Sequence, residues 1–325
     1  MNYVFFDIEC ANCLHGEGKI CSFGYVKTDE NFNIIKKKDI LMDPAAPFLL
    51  GNARTGNGIR LAYPLFRFRW AHTFPSYYHE IRDLLEDKDS LAFGFAVLQD
   101  ASYLLYSCKR YQLTPINFKF YDIQLFEKEL HHLKNPSGLD TLVEKYHEQI
   151  FTYHRSDDDA LMTMEVLRSL LKENNYKVED VLSNYPAGLS NTKKLIETLE
   201  ERRLLKNKKE ELRKRQDILF SFYAKRNVPI ESSDISLYKK NIFLTKIVLN
   251  DYLSLLEKNR NLILKKGAKI VRCSSDADIL VLLDKDRNSS FFNHCKKDAV
   301  IMTMKELLKK LGIKEEESPK KKIRR

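Results

Sequence analysis

The stretch that decides the fold is Tyr3-Val4-Phe5-Phe6-Asp7-Ile8-Glu9, at the start of the chain. Its apolar residues predict a buried β-strand, and the i, i+2 spacing directs Asp7 and Glu9 to one face of that strand. A core sheet normally excludes carboxylates, because an unpaired buried charge destabilises the fold or is neutralised by a shifted pKa. A bound divalent cation would remove that cost, so this strand predicts a metal site.

Two further patches carry acids next to helices. Residues 93–104 are predicted to form an apolar strand that turns into a helix near Gln99, which places Asp100 in the first helical turn. Residues 154–160 precede apolar residues at helical spacing, so a loop carries His154 and a helix carries Asp159.

Together these patches resemble the DEDDh superfamily of 3′→5′ exonucleases, which are related to polymerase proofreading subunits. That family has Asp-x-Glu on its first strand, an aspartate that opens a helix in its second motif, and His-x4-Asp in its third. The resemblance covers roughly residues 1–175. Further similar segments are Ala71–Pro75, Asp100–Leu104 and Tyr121–Ile123.

The resemblance implies a ribonuclease H-like mixed sheet and a defined set of site residues. Asp7, Glu9, Asp100 and Asp159 would hold two Mg²⁺ or Mn²⁺ ions ~3.5–4 Å apart, as in two-metal phosphodiester hydrolysis. His154 would be the general base, because an imidazole pKa near ~6.5 permits proton acceptance at neutral pH.

The sequence departs from the family pattern at the substrate-facing rim. Cys10 replaces the usual threonine after the Asp-x-Glu motif, and Phe95-Ala96 replaces a His-Asn pair. By the same resemblance, Cys10 and Ala11 should contact the terminal nucleotide. These departures therefore bear on substrate preference more than on the metal ligands.

Each motif also has a simpler interpretation. Asp-x-Glu can be a surface pair on an edge strand, and residues 157–159 can be a helix N-terminal cluster favoured by the helix dipole. His154 can be an ordinary exposed loop histidine. A zinc cluster can also be drawn from cysteine and histidine side chains near the first strand: Cys10, Cys13, His15 and Cys21.

Composition indicates a protein with more than one domain. The chain has 325 residues, of which 43% are apolar, enough for sizeable cores. We find no signal peptide and no apolar run near ~18 residues, so no membrane partner is expected. Six cysteines without a secretory context predict reduced thiols and a cytoplasmic location.

Charge divides the chain. Residues 1–180 carry 21 basic and 26 acidic residues, whereas residues 181–325 carry 34 and 19, giving net charges of −5 and +15. An acidic catalytic half repels a polyanion, so the C-terminal half is expected to attract the phosphate backbone.

The region after Pro186 predicts a long, exposed, basic helix up to about Arg226. Leu205, Leu212 and Leu219 recur at seven-residue spacing. They indicate either a short coiled-coil contact or one apolar stripe that rests on a neighbour, and three positions favour the stripe.

From Asn241 onward, alternating strand and helix patterns with Gly267 resemble a BRCT domain. In this interpretation Ile242–Leu244 and Ile247–Leu249 form a strand, and later strands begin near Ala268, Asp278 and Ala299. Thr245 and either Lys296 or Lys297 fall near the family's phosphate ligands. Phosphate or protein binding and a purely structural role both remain open.

We therefore predict an α/β protein: a ribonuclease H-like exonuclease domain (1–182), a basic helical linker (183–236), a small α/β BRCT-like domain (237–313) and a charged, disordered tail (314–325). The expected function is metal-dependent 3′→5′ exonucleolysis of DNA, at single strands or frayed 3′ ends, releasing 5′-mononucleotides in DNA repair or replication. Two alternatives stay open, namely trimming of RNA or short oligonucleotides and an inactive scaffold that binds 3′ ends.

Overall fold

The computed structural model describes residues 1–51, 60–146, 154–225, 237–282 and 295–313. These residues belong to two compact units, Met1–Glu201 and Arg202–Arg325. Within the described residues, no helix combines the length and apolar character needed to cross a membrane.

The first unit is a sheet with helices on both faces. Its strands are β1 (Asn2–Cys10), β2 (Ile20–Thr28), β3 (Ile34–Leu41), β4 (Ser90–Gly94), β5 (Lys119–Asp122) and β6 (Leu189–Asn191). Its helices are α1 (Leu65–Arg69), α2 (Phe74–Leu85), α3 (Leu98–Arg110), α4 (Ile123–Leu130), α5 (Leu139–Tyr146), α6 (Ser156–Asn174) and α7 (Val178–Asn184).

The sheet has the order β3-β2-β1-β4-β5-β6. Strands β1, β2 and β3 pair antiparallel, β4 and β5 join β1 in parallel, and β6 is antiparallel to β5. This mixed sheet flanked by helices confirms the predicted fold class.

Strand β1 lies in the middle of the sheet, and its alternate residues pack on opposite faces. Phe6 joins an apolar cluster with side chains of α2 and α3, whereas Phe5 joins a cluster with side chains of α4, α5 and α6. Asp7 and Glu9 share the face of Phe5, so they project from the side of the sheet that α6 covers.

The predicted domain end at residue 182 falls inside α7, and the first unit extends beyond it. Strand β6 follows and pairs with β5. The next helix, α8 (Thr192–Lys225), begins with Leu195 buried in the core of the first unit. The predicted linker region therefore contains the additional strand β6, and the long helix predicted up to about Arg226 is observed as α8.

Helix α8 ends within the second unit. Leu219 is fully buried and Leu212 is partly buried in that unit's core, whereas Leu205 is exposed. Two of the three leucines therefore form an apolar stripe that packs on the core of the second unit, and the third does not take part.

The second unit contains a parallel sheet of order β10-β9-β7-β8. Its remaining elements are β7 (Asn241–Leu244), α9 (Lys246–Lys258), α10 (Arg260–Lys265), β8 (Lys269–Val271), β9 (Ile279–Leu282), β10 (Val300–Thr303) and α11 (Met304–Leu311).

The strand predicted at Ile247–Leu249 is wrong, since these residues belong to α9. Val248 and Leu249 are buried at adjacent helical positions, and so short an apolar run does not distinguish a strand from a buried helix. The predicted charged tail lies outside the described residues.

Candidate active site

Two of the predicted metal ligands lie near the end of β1. Asp7 pairs with Gly24 of β2, and Glu9 pairs with Ser22, just before an irregularity in the register between Glu9 and Cys10. Both carboxylates are partly buried. The alternation predicted from the sequence therefore places them on one face, as expected.

Gly24 explains how α6 reaches these carboxylates. A Cβ at Gly24 would lie 2.0 Å from the carbonyl carbon of Ser156 and 2.1 Å from the nitrogen of Asp157. Only glycine lets the first turn of α6 pack this closely on the sheet. Because Gly24 is the partner of Asp7, this close approach brings Asp159 to Asp7. Gly24 was not among the residues predicted for the site, although a glycine inside an apolar strand is a signal for close backbone approach.

The acids form a compact group. One carboxylate oxygen from each of Asp7, Glu9 and Asp159 lies within 4.8 Å of the other two. Asp100, in the first turn of α3, is outside this group of three but is buried close enough for its charge to raise the pKa of Asp7. The structure thus brings all four predicted acids to one end of the sheet.

The electrostatics of this cluster disfavour ionised carboxylates. Burial raises the pKa of Asp7 and of Asp100 well above the usual value, and the negative charges of neighbouring acids raise both further. Burial, followed by repulsion from Asp7 and Glu9, raises the pKa of Asp159 to about 8. The cost of ionising these groups therefore comes from desolvation first and from mutual repulsion second.

This donor set fits divalent cations. Carboxylate oxygens are the ligands that Mg²⁺ and Mn²⁺ prefer. In the part of the chain that the structure describes, no lysine or arginine forms a salt bridge with Asp7, Glu9, Asp100 or Asp159. A buried acid cluster without a basic partner is stabilised if cations bind to it.

His154 lies beside the cluster. Its Nδ1 is 3.3 Å from Oε1 of Glu9, and its side chain is 46% exposed. The backbone of His154 is left-handed, with φ of 61°, and its carbonyl accepts a hydrogen bond of 3.2 Å from the N–H of Ala62. The hydrogen bond with Glu9 raises the pKa of His154, although burial acts in the opposite direction.

The two residues predicted to contact the substrate, Cys10 and Ala11, differ in burial and in the hydrogen bonds that they already form. Ala11 is fully buried, its N–H donates to the carbonyl of Lys19, and its own carbonyl accepts from Leu49. Its polar groups are therefore already used within the protein. Cys10 is partly buried, and its thiol is hydrogen-bonded to Cys13.

The zinc alternative has no support from the geometry. Among the described residues, the three acids Asp7, Glu9 and Asp159 are the only histidine, cysteine or acidic side chains whose ligand atoms converge in this way. Instead, Cys21 donates to the carbonyl of Glu9 and Cys13 donates to the hydroxyl of Tyr103.

Three nearby acids have structural roles instead. Asp122 caps α4 by accepting hydrogen bonds from the N–H groups of Gln124 and Leu125. Asp157 forms an ion pair with Arg155 at 2.7 Å, and Asp158 forms one with Lys37. Consecutive aspartates at the start of α6 are thus separated into two paired acids and one acid of the cluster.

A mixed sheet with an acid cluster at the end of its central first strand defines a nuclease-type α/β domain. The chain belongs to the exonuclease family, whose RNase_T description matches residues 4–167. The exonuclease predicted from three short motifs is therefore confirmed at the level of the family.

Several solved structures are similar to part of the chain. A 3′-exonuclease that recognises a histone mRNA stem-loop has 13% identity and a TM-score of 0.42, covering 53% of this chain and 64% of that one. E. coli exonuclease I with a dA16 oligonucleotide has 14% identity and a TM-score of 0.44, covering 56% and 42%. S. pombe Pop2p with Mg²⁺ and Mn²⁺ has 16% identity and a TM-score of 0.41, covering 52% and 82%. The first two are matched over less than two thirds of their length, and no curated protein matches this sequence.

Proposed function

We propose that this protein is a metal-dependent 3′→5′ exonuclease that acts on DNA, at single strands or frayed 3′ ends, and releases 5′-mononucleotides. The observation that carries the proposal is the convergence of oxygens from Asp7, Glu9 and Asp159 within 4.8 Å. All three residues lie in the segment that the exonuclease family matches.

In this proposal Asp7, Glu9, Asp100 and Asp159 hold two divalent cations, Mg²⁺ or Mn²⁺. When bound, such cations polarise the phosphate and lower the pKa of water. The protein contributes rigid ligands, because β1 and the first turns of α3 and α6 fix the directions of the carboxylates.

His154 acts as the general base in this mechanism. Its Nδ1 faces Glu9, so Nε2 is the ring nitrogen left to take a proton from the attacking water. The interaction with Glu9 also orients the ring. Its position on a partly exposed loop next to the acids gives a substrate access to both.

We propose DNA as the substrate because the second unit resembles a module of DNA-repair proteins. The strongly basic C-terminal half would attract the phosphate backbone of the strand. Cys10 is the proposed contact with the terminal nucleotide. Ala11 is fully buried and its backbone groups are already bonded, so its proposed part is limited to holding the backbone next to Cys10.

For the second unit we propose a BRCT-like module that binds a protein or a phosphate in DNA repair or replication. Its all-parallel sheet of four strands, with helices after β7 and after β10, supports this assignment. The proposed phosphate ligands are Thr245 and Lys297, because Lys296 is already paired with Asp278 at 2.8 Å.

The direct test of the nuclease is an assay of the full chain with Mn²⁺ on matched 5′-labelled and 3′-labelled strands of DNA and RNA. We expect stepwise shortening of 5′-labelled DNA and immediate release of the 3′ label as a mononucleotide. Asp7→Asn should lower the rate by at least roughly 10³-fold, because it removes one ligand of the cations. Asp83→Asn, which removes an exposed acid of the same unit, should have little effect.

The assay also separates the alternatives. Preferential shortening of RNA would assign the protein to RNA trimming. Strand binding without cleavage of either polymer would leave only a scaffold for 3′ ends. Full activity of Asp7→Asn would contradict the assigned metal site.

The attraction of the C-terminal half for nucleic acid can be tested on the exposed basic side chains of α8. Replacing Arg202, Arg203, Lys206 and Lys209 by glutamine should flatten the dependence of log Kd on log salt. Each lost contact with a single strand changes that slope by ~0.7. An unchanged slope would assign these cations to another partner or to solubility.

A further inference from the structure

Helix α1 presents two large aromatic side chains to solvent. Trp70, directly after the helix, is 82% exposed, and Phe66 is 51% exposed. Their ring centroids are 5.0 Å apart, while Phe68 on the opposite side is buried and anchors the helix. Adjacent exposed aromatic rings are unfavourable in water and mark interaction sites.

These rings line an open groove of about 510 Å³. Its other wall comes from β3 and from Tyr77, and basic side chains border it at Arg67 and Lys38. Lys38 is paired with Glu80 at 2.6 Å, whereas Arg67 forms no salt bridge within the described residues.

The groove also contains one acid, Asp39, which is turned toward the protein. Its carboxylate accepts a hydrogen bond from the hydroxyl of Ser22. The groove therefore combines flat apolar rings with an unpaired cation, and its acid is engaged elsewhere.

The groove is connected to the candidate active site through Tyr63. The guanidinium of Arg67 lies 4.7 Å from the centre of the Tyr63 ring, and that of Arg155 lies 5.8 Å from it. Arg155 follows His154, whose carbonyl accepts a hydrogen bond from Ala62. A strand that leaves the active site past Tyr63 would therefore meet Phe66 and Trp70.

We infer that Phe66 and Trp70 form a stacking platform for the bases of a single nucleic-acid strand upstream of its 3′ end, and that Arg67 binds a phosphate of that strand. This inference rests on the proposed exonuclease function. Aromatic rings next to cations are how proteins hold single strands without sequence preference, since every base has a flat face. Bases within a duplex are already stacked on each other and cannot reach such a platform.

Trp70 is the only tryptophan of the chain, so its fluorescence reports on this surface alone. The full chain carrying Asp7→Asn is titrated with oligothymidylate in the presence of Mg²⁺, so that the strand stays intact. We expect quenching of Trp70 by oligothymidylate and not by an abasic strand of the same length. Binding is measured in parallel by the anisotropy of a 5′-labelled strand.

Variants of the platform separate stacking from charge. Trp70→Ala should weaken binding by roughly 5- to 150-fold, as expected for one stacked base, whereas Trp70→Phe should retain most of the affinity. Arg67→Gln should reduce the salt dependence of binding by ~0.7. Leu65→Ala, an exposed apolar residue of the same helix that does not line the groove, should leave binding unchanged.

The outcomes distinguish this inference from the proposed function. If labelled strands bind while Trp70 emission and the affinity of Trp70→Ala stay unchanged, the platform is wrong and the nuclease is untouched. If the wild-type chain cleaves no strand, the proposed function is wrong whatever the fluorescence shows. If no strand binds at all, the platform is contradicted.

Discussion

Two acids, Asp278 in the second unit and Asp159 in the first, have pKa shifts in opposite directions. In the second unit Asp278 accepts a hydrogen bond from the N–H of Asn241 and pairs with Lys296, and these interactions lower its pKa. Among the described residues of the first unit, no lysine or arginine forms a salt bridge with Asp159. Burial, followed by the charges of Asp7 and Glu9, raises the pKa of Asp159 to about 8.

The difference between their pKa shifts indicates how acids that stabilise the fold differ from acids that could bind a cation. A structural acid that accepts a hydrogen bond or pairs with a cationic side chain stabilises the native state when it is ionised. An acid cluster that is buried without such partners destabilises the native state until cations bind. A raised pKa identifies the functional end of the first sheet only together with the convergence of the carboxylate oxygens, because burial also raises the pKa of Asp122, which caps α4.

The largest effect that can test this contrast is expected at His154, the only titratable base beside the unpaired acids among the residues described. His154→Ala should lower kcat by roughly 10²–10⁴-fold with nearly unchanged substrate binding, because a general base acts in the transition state. Single-turnover kinetics and anisotropy on the same strand measure the two quantities. A loss confined to binding would make His154 a substrate clamp.

Metal-free stability provides the next test. The pKa of Asp159 is about 8 in the folded protein against an ordinary 3.8, so the folded state holds an extra proton between these values. The contribution of Asp159 to stability is therefore greatest below pH 3.8 and is lost as the pH rises to about 8. Asp159→Asn should remove this loss and stabilise the metal-free protein at pH 8 by about 1–3 kcal/mol.

Denaturant unfolding in EDTA at pH 5 and pH 8 measures this difference between wild type and Asp159→Asn. Added Mg²⁺ should reverse the order by stabilising only the wild type. Equal stabilities at both pH values would contradict the view that Asp159 is strained when ionised.

Gly24→Ala tests whether close packing creates the cluster. The added Cβ would meet the backbone at Ser156 and Asp157, so α6 must move away from the sheet. We expect a loss of about 1–3 kcal/mol in the free energy of unfolding, as for an overpacked core, together with weaker metal binding. Isothermal titration with Mn²⁺ measures the second effect. Normal metal affinity in a destabilised variant would show that the position of Asp159 does not depend on Gly24.

The smallest effect is expected in the second unit. Asp278→Asn removes a paired acid that is partly exposed, so stability should fall by only about 0.2–1 kcal/mol at neutral pH. The sign should be opposite to that of Asp159→Asn in metal-free protein. Thermal unfolding of the two variants side by side checks this, and a stabilising Asp278→Asn would remove the contrast between the units.

Much of the site could be predicted from the sequence because its information is local. The period of two along β1 places Asp7 and Glu9 on one face regardless of what packs above them. The fold class followed from the resemblance of the three motifs to the exonuclease superfamily, with apolar strands and helical spacing placing those motifs on their elements. The helix at Ile247 could not be distinguished from a strand, because so short an apolar run is buried equally well in either conformation. Strand β6 pairs with the distant strand β5 and buries no apolar side chain, so no local pattern indicated it.

Residues 157–159 show what the sequence by itself could not determine. Three consecutive aspartates have the same chemistry, and only the resemblance in spacing from His154 singled out Asp159. Only the tertiary structure determines which role each aspartate has. The close approach of α6 at Gly24 places Asp159 in the acid cluster. Asp157 and Asp158 form ion pairs with Arg155 and Lys37 instead. Pairing across 121 residues between Lys37 and Asp158 depends on how strands and helices pack, which no local pattern contains.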